Sequence, residues 1–313
     1  MKDGLGREIN YARISVTDLC NLRCRYCMPE EGILKKEHRE ILSIEKLSQI
    51  AASLAELGFE KIRVTGGEPL VRRGIDAFLN YLGGLNFATL ALTTNGMLLS
   101  ENVGVLKSAG VDLINVSLDT LNAEKYRYIT CRGDLAAALA GIESAIEAGV
   151  FQVKINAVLL KGINDNEVSD FIRFSESRGV EVRFIELMPF SSQRKFAEEH
   201  FIGAGEIIKN HPELEYFGSA GNSTAEYYKT KNGGLIGFIR PMSKKFCAQC
   251  NRIRITADGM LLTCLHNNGA FDLKPYIGGG LTEFIKGCIQ KKQSAHRLED
   301  GELQCRDMKD IGG

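Results

Sequence analysis

The chain has 313 residues, and its 39 basic side chains balance its 39 acidic ones, so nothing suggests bulk attraction to nucleic acid or to an anionic membrane. Its 44% hydrophobic and 25% charged content is ordinary for a globular protein of one large or two smaller domains. No apolar run approaches the ~20 residues of a membrane span, and Met1–Gly6 lacks the apolar core of a signal peptide, so the expected compartment is the cytoplasm.

From the N-terminus to about residue 187 one unit recurs: a short β-branched strand, then a helical pattern closing at glycine. Strands are expected at 12–16, 61–65, 88–93, 112–117, 152–160 and 180–186. Between the first two, Leu47, Ile50, Ala51, Leu54 and Leu57 form a stripe at helical period, opening near Ser43 and closing at Gly58. Gly110, Gly149 and Gly179 sit in the same place before later strands. This alternation implies parallel strands with right-handed crossovers. Residues 1–189 are therefore expected to form an α/β fold, an incomplete (βα)6 TIM-like barrel, with a doubly wound open sheet as the alternative. Either architecture places ligands at the C-terminal ends of its strands.

After Met188-Pro189 the pattern changes, and 190–313 reads as a smaller, strand-rich C-terminal module. A short helical run is expected near 203–210, strands at 226–229 and 235–240, and a last helix near 281–292. Between these, Ile253–Thr256 and Met260–Thr263 flank Ala257-Asp258-Gly259, a hairpin signal.

Nine cysteines in a chain without secretory features point to metal or catalysis rather than disulfides. Six fall in two groups; Cys131, Cys288 and Cys305 are scattered and read as small apolar residues. The first group, Cys20, Cys24 and Cys27, has C-x3-C-x2-C spacing directly after the first strand. Thiolates hold iron–sulfur clusters, and three of them leave one iron of a cubane open. An open coordination position is the mark of a reactive site, whereas a closed set is structural. A zinc knuckle is the alternative, and it needs a fourth ligand nearby. In the second group Cys247 and Cys250 are followed, after thirteen intervening residues, by Cys264. It too is one ligand short of a closed site, unless His266 completes a zinc ribbon. Arg252 and Arg254 alternate along the strand between, so both side chains reach one face. Two guanidiniums there suit a planar or phosphorylated ligand, though a solvated strand face reads equally well from that motif alone.

The C-x3-C-x2-C run with Tyr26 before its last cysteine resembles the signature of the radical S-adenosylmethionine (SAM) enzymes. Gly66-Gly67-Glu68-Pro69 after the second strand and Asn115–Asp119 ending the fourth fit the same resemblance. In that superfamily SAM chelates the open iron, and an electron from the cluster cleaves it to methionine and a 5′-deoxyadenosyl radical. With Met28-Pro29, Thr93–Gly96, Phe184–Met188, Cys247–Arg254, Cys264 and a terminal Gly312-Gly313, the chain resembles the GTP 3′,8-cyclases from about Arg7 to its end. These are the radical SAM enzymes that open molybdenum cofactor biosynthesis.

That resemblance implies two 4Fe–4S clusters, one on Cys20, Cys24 and Cys27 and one, holding substrate, on Cys247, Cys250 and Cys264. It places SAM against Tyr26, Gly67, Ser117 and Met188. GTP would meet Arg13, Arg63, Thr93, Lys154, Arg252, Ile253 and Arg254, with Arg252 and Arg254 carrying catalysis. It further implies an electron donor such as flavodoxin or ferredoxin, and delivery of the product to cyclic pyranopterin monophosphate synthase. The enzyme would be a cytoplasmic monomer or homodimer with no membrane or nucleic-acid partner. The chain departs from the family at Cys131, where glycine is usual, at Tyr276–Gly280, which lacks an arginine, and over 190–225, which matches poorly.

Overall fold

Along most of each strand of the first half, apolar residues alternate with polar or charged ones, Ala91, Leu113, Val158 and Ile185 being among the exceptions. The computed structural model, which describes residues 1–29, 37–219, 224–266, 269–296, 306 and 308–312, turns that alternation into two faces of one sheet. Cys305 and Gly313 lie outside the described residues.

Six strands follow one another in sequence order: β1 (Tyr11–Ser15), β2 (Lys61–Thr65), β3 (Thr89–Thr94), β4 (Leu113–Ser117), β5 (Gln152–Leu159) and β6 (Glu181–Glu186). All pair in parallel, so the strand-order reversal of a doubly wound sheet is absent among them. The crossovers are α1 (Ile44–Glu56), α2 (Ile75–Gly83), α3 (Leu99–Ser108), α4 (Ala123–Thr130) with α5 (Leu135–Glu147), and α6 (Val168–Arg178). Helix α1 starts where Ser43 accepts a hydrogen bond from the Lys46 amide at 3.4 Å, and the chain leaves it through Gly58 at φ +76°.

The second half extends the same sheet at both edges rather than stacking beside it. After α7 (Arg194–His200) and α8 (Ala204–Asn210) come β7 (Glu215–Gly218), β8 (Ala225–Lys229) and β9 (Leu235–Ile239), and β9 lies parallel against β6. At the opposite edge β10 (Arg252–Ile255) lies parallel against β1. It continues as an antiparallel meander through β11 (Met260–Leu262) and β12 (Ala270–Asp272). Helices α9 (Leu281–Gln290) and α10 (Met308–Ile311) complete the described chain. Side chains from β1, β2, β4, β5, β6, β9 and β10 line a single cavity, so the sheet curls round it as an open barrel.

The helix-facing side of this sheet is the core. It holds Ile14, Val64, Leu92, Val116, Ile155, Phe184, Phe238 and Ile253, all almost wholly buried. Phe184 meets Phe171 of α6 edge-on and stacks on Phe238, each at 5.6 Å between ring centres, which joins α6, β6 and β9. Among the described residues no helix is long and apolar enough to cross a membrane. Phe184→Ala should leave a cavity at this junction and cost about 3–5 kcal/mol, read from the urea midpoint; a loss near zero would show that β6 and β9 are held without it.

Candidate active site

The loop after β1 is fastened on two sides. The Arg23 and Arg25 amides each donate, at 2.9 Å, to the Thr130 and Ile129 carbonyls at the end of α4. On the other side the Gly67 and Glu68 amides donate to the Thr17 and Leu19 carbonyls at 2.8 Å. A Cβ on Gly67 would stand 2.4 Å from the Leu19 oxygen, so only glycine allows this approach. Glu68 then ties the loop to the end of β3, accepting from Thr94 Oγ1 at 2.8 Å and from the Asn95 amide at 2.7 Å; burial pushes its carboxyl up to about 7.

Cys20, Cys24 and Cys27 sit half-buried on this loop, all free thiols. The Leu22 amide donates to Cys20 Sγ at 3.3 Å, and Asn95 Nδ2 lies 4.0 Å from it. Burial pushes the Cys20 thiol up to about 11 and Cys24 higher still, so both are protonated until a bound cation displaces the proton. Three thiols with amide donors aimed at a sulfur fit an iron–sulfur cluster. Among the described residues no three His, Cys, Asp or Glu side chains converge as a preformed mononuclear site would require. Cys131 caps α4 at φ +59°, the left-handed region where glycine is favoured. Tyr26, within the cysteine run, donates to Asp119 Oδ2 at 2.7 Å, and Asp119 Oδ1 accepts from the Val158 amide.

The inner face of the sheet lines a cavity of about 500 Å³. Parallel register sets its walls. Arg13 is level with Arg63 on one side and Arg254 on the other; Tyr11 is level with Lys61 and Arg252; Asn115 is level with Thr93 and Lys154; and Asn156 is level with Ser117 and Arg183. Since level residues on parallel strands share a face, seven cations turn inward: Arg13, Lys61, Arg63, Lys154, Arg183, Arg252 and Arg254. Burial and mutual repulsion lower the pKa of Arg13 well below its ordinary value; Arg254, 8% exposed, falls to about 10 and Lys61 to about 8, burial leading in both. The anionic side chain among them is Glu181, 2.7 Å from Lys154 Nζ and 3.4 Å from Arg183 Nε, and it also accepts from the Tyr227 hydroxyl.

Met188 and the thiols Cys247, Cys250 and Cys264 line the same cavity, as do His266 and His296. The second cysteine group therefore faces the cations. Burial lowers the pKa of His266 to about 3. Thr93 borders the site by accepting from Arg63 Nη1 at 3.3 Å. Ile253 does not reach it: its side chain lies in the helix-facing core, 1% exposed. The end of the chain is also here, because Arg254 Nη1 donates to the Gly312 carbonyl. A Cβ on Gly312 would meet Thr65 Cγ2 at 2.7 Å, so the tail lies against the C-terminal ends of β1 and β2.

Lys61, Arg183, Asn115, Asn156 and Tyr11 were not anticipated as site residues. For Lys61, Asn115, Asn156 and Tyr11 the signal lies in the period-two alternation, since each is two residues from, or level with, an expected site residue; Arg183 is reached only through its register with Asn156. Tyr11 is the least expected. Its hydroxyl accepts from Arg63 Nε at 2.7 Å, with Lys61 Nζ 5.4 Å and Arg252 Cζ 5.6 Å from its ring centre. Burial raises its pKa, but the charges of Arg63, Arg13 and Arg252 outweigh that and bring the phenol to about 7.

Comparison with known proteins agrees with this arrangement. The family model described as the radical SAM superfamily matches residues 14–175, and one described as Molybdenum Cofactor Synthesis C matches 180–298. Among solved structures, SuiB of Streptococcus suis bound to S-adenosylmethionine superposes with a TM-score of 0.64 at 15% identity, over 91% of this chain and 68% of that one. Coproporphyrinogen III oxidase from Escherichia coli reaches 0.51 at 15% identity, over 68% and 54%. Fold and cysteine loop together define a radical SAM protein, the class that uses SAM with a 4Fe–4S cluster. The GTP 3′,8-cyclase of Peptoclostridium acidaminophilum is 48% identical over 99% of this chain and 98% of its own. That of Alkaliphilus oremlandii is 42% identical over the full length of both. The chain belongs to the GTP 3′,8-cyclase family.

Two outcomes follow from the geometry. Gly67→Ala should force the two loops apart and abolish SAM binding in an equilibrium assay; undisturbed binding would mean that the contact yields. Deprotonating Tyr11 puts a negative charge among the cations, so triphosphate affinity should fall as pH rises through about 7. In Tyr11→Phe that dependence should flatten relative to wild type, as measured by titration calorimetry.

Proposed function

We propose that this chain converts GTP to (8S)-3′,8-cyclo-7,8-dihydroguanosine 5′-triphosphate, the first step of molybdenum cofactor biosynthesis. The observation that carries this reading is the inward ring of seven cations beside the second cysteine group. So many buried positive charges are costly unless an anion of several charges joins them, and a nucleoside triphosphate supplies that charge on a body that a 500 Å³ cavity can hold.

The roles divide along the chain. Residues 1–189 hold the first cluster on Cys20, Cys24 and Cys27, and SAM through Tyr26, Gly67, Ser117 and Met188. Residues 190–313 supply a second 4Fe–4S cluster on Cys247, Cys250 and Cys264. Together these groups provide the one-electron chemistry when bound. The protein's own residues position and shield. Arg13, Arg63, Lys154 and Thr93 bind the triphosphate and ribose, and the buried floor excludes water. Arg252 and Arg254, beside the second thiols, orient the guanine. Ile253 contributes through backbone rather than side chain. A flavodoxin or ferredoxin in the cytoplasm would deliver the electron, and cyclic pyranopterin monophosphate synthase would take the product.

Anaerobic incubation with SAM and GTP tests this. Wild type should form the cyclised nucleotide, and Arg254→Ala should lose roughly 10²-fold or more of that rate, as when a preorganised charged donor is removed. SAM consumption without cyclised nucleotide would favour a peptide-modifying radical SAM enzyme, and a colourless zinc-loaded protein would favour a scaffold.

A further inference from the structure

Lys292 follows α9 and is 5% exposed. Among the described residues no carboxylate pairs with it. Its ammonium instead donates to two carbonyls, Arg252 at 2.9 Å and Thr263. Those carbonyls belong to the two segments that carry the second cysteine group: Arg252 is two residues after Cys250, and Thr263 immediately precedes Cys264. The same corner is closed from the N-terminus. Arg7, held by Asp3 at 2.7 Å, donates to the Cys247 carbonyl at 2.9 Å and to the Gln293 carbonyl at 2.7 Å. Neutral carbonyls satisfy the hydrogen bonds of an ammonium but leave its charge uncompensated, which is costly this deep in a protein. The carbonyls it holds tie it to the segments that bear the Cys250 and Cys264 sulfurs, both of which face the cavity.

We propose that Lys292 is the positioning residue of the second cysteine site, stapling the Cys247–Cys250 and Cys264 segments together and placing a buried positive charge that favours the reduced state of the cluster they hold. The proposal rests on the two-cluster reading above. Outer-shell partners of this kind commonly change metal affinity by roughly 10–100-fold when removed. A cation beside an iron–sulfur centre also stabilises the extra electron, so removing it moves the potential downward.

Three substitutions separate staple from charge, each made in full-length protein reconstituted anaerobically with iron and sulfide. Lys292→Met removes both functions, Lys292→Gln keeps a donor without charge, and Lys292→Arg keeps the charge. The readouts are iron per chain and a potentiometric titration followed by electron paramagnetic resonance, repeated in a background with Cys20, Cys24 and Cys27 changed to alanine so that only the second cluster reports. Lys292→Met should retain the second cluster roughly 10–100-fold more weakly. Lys292→Gln should hold it better but titrate at lower potential, and Lys292→Arg should stay close to wild type in both. Unchanged iron and potential in the Met and Gln variants overturns the proposal, as does equal loss of both clusters, which marks a purely structural lysine. If the cysteine-to-alanine background binds no iron at all while wild type binds one cluster, the two-cluster reading falls and the proposal with it.

Discussion

Everything in this molecule depends on where the charge goes in a parallel sheet. A strand covered on both faces ordinarily carries apolar side chains on both. Here the outer set, typified by Ile14, Val64 and Phe184, is buried against helices, while the inner set holds arginines and lysines level with one another across strand after strand. Such a ring repels itself. Glu181 and the Tyr11 hydroxyl engage part of it, and the space it encloses is a cavity rather than a packed core. The stabilising burial and the functional charge are thus two sides of the same strands.

That division explains why C-terminal strands close the sheet from both ends. β10 brings Arg252 and Arg254 level with Tyr11 and Arg13, and the thiols flanking β10 come with it. The first cysteine group follows β1, the cations lie along the inner strands, and the second cysteine group lines the same cavity as they do. Met188 lines the cavity, and Ser117 is level with Asn156, which lines it too.

Much of this was legible in the residues. β-Branched runs located the six strands of the first half within one or two residues, and Ser43 and Gly58 marked the limits of α1. The cysteine spacings, together with Arg252 and Arg254, pointed to the residues that line the cavity at Cys247, Cys250 and Cys264 and to the loop after β1. What escaped was tertiary. Period-two alternation shows that Lys61 and Arg183 share a face with their neighbours, but not that the face is concave. The pairing of β9 with β6 and of β10 with β1 depends on chain separation that local pattern does not encode. Strands β7 and β12 are three or four residues long, and α7 presents little apolar stripe, too short a signal to separate from loop. Ile253 was expected in the site with its neighbours, yet a strand must turn alternate side chains away, and it faces the core.

The pairing of β10 with β1 has a further consequence for how the protein is made. β1 emerges first and β10 about two hundred and forty residues later, so one edge of β1 is unpaired through most of synthesis. Pairings so distant in sequence form slowly, and open strand edges invite association with other chains. Until β10 docks, the cations of β1 and β2 have no opposite wall. A nascent chain can therefore present the first cysteine loop well before its cavity is enclosed.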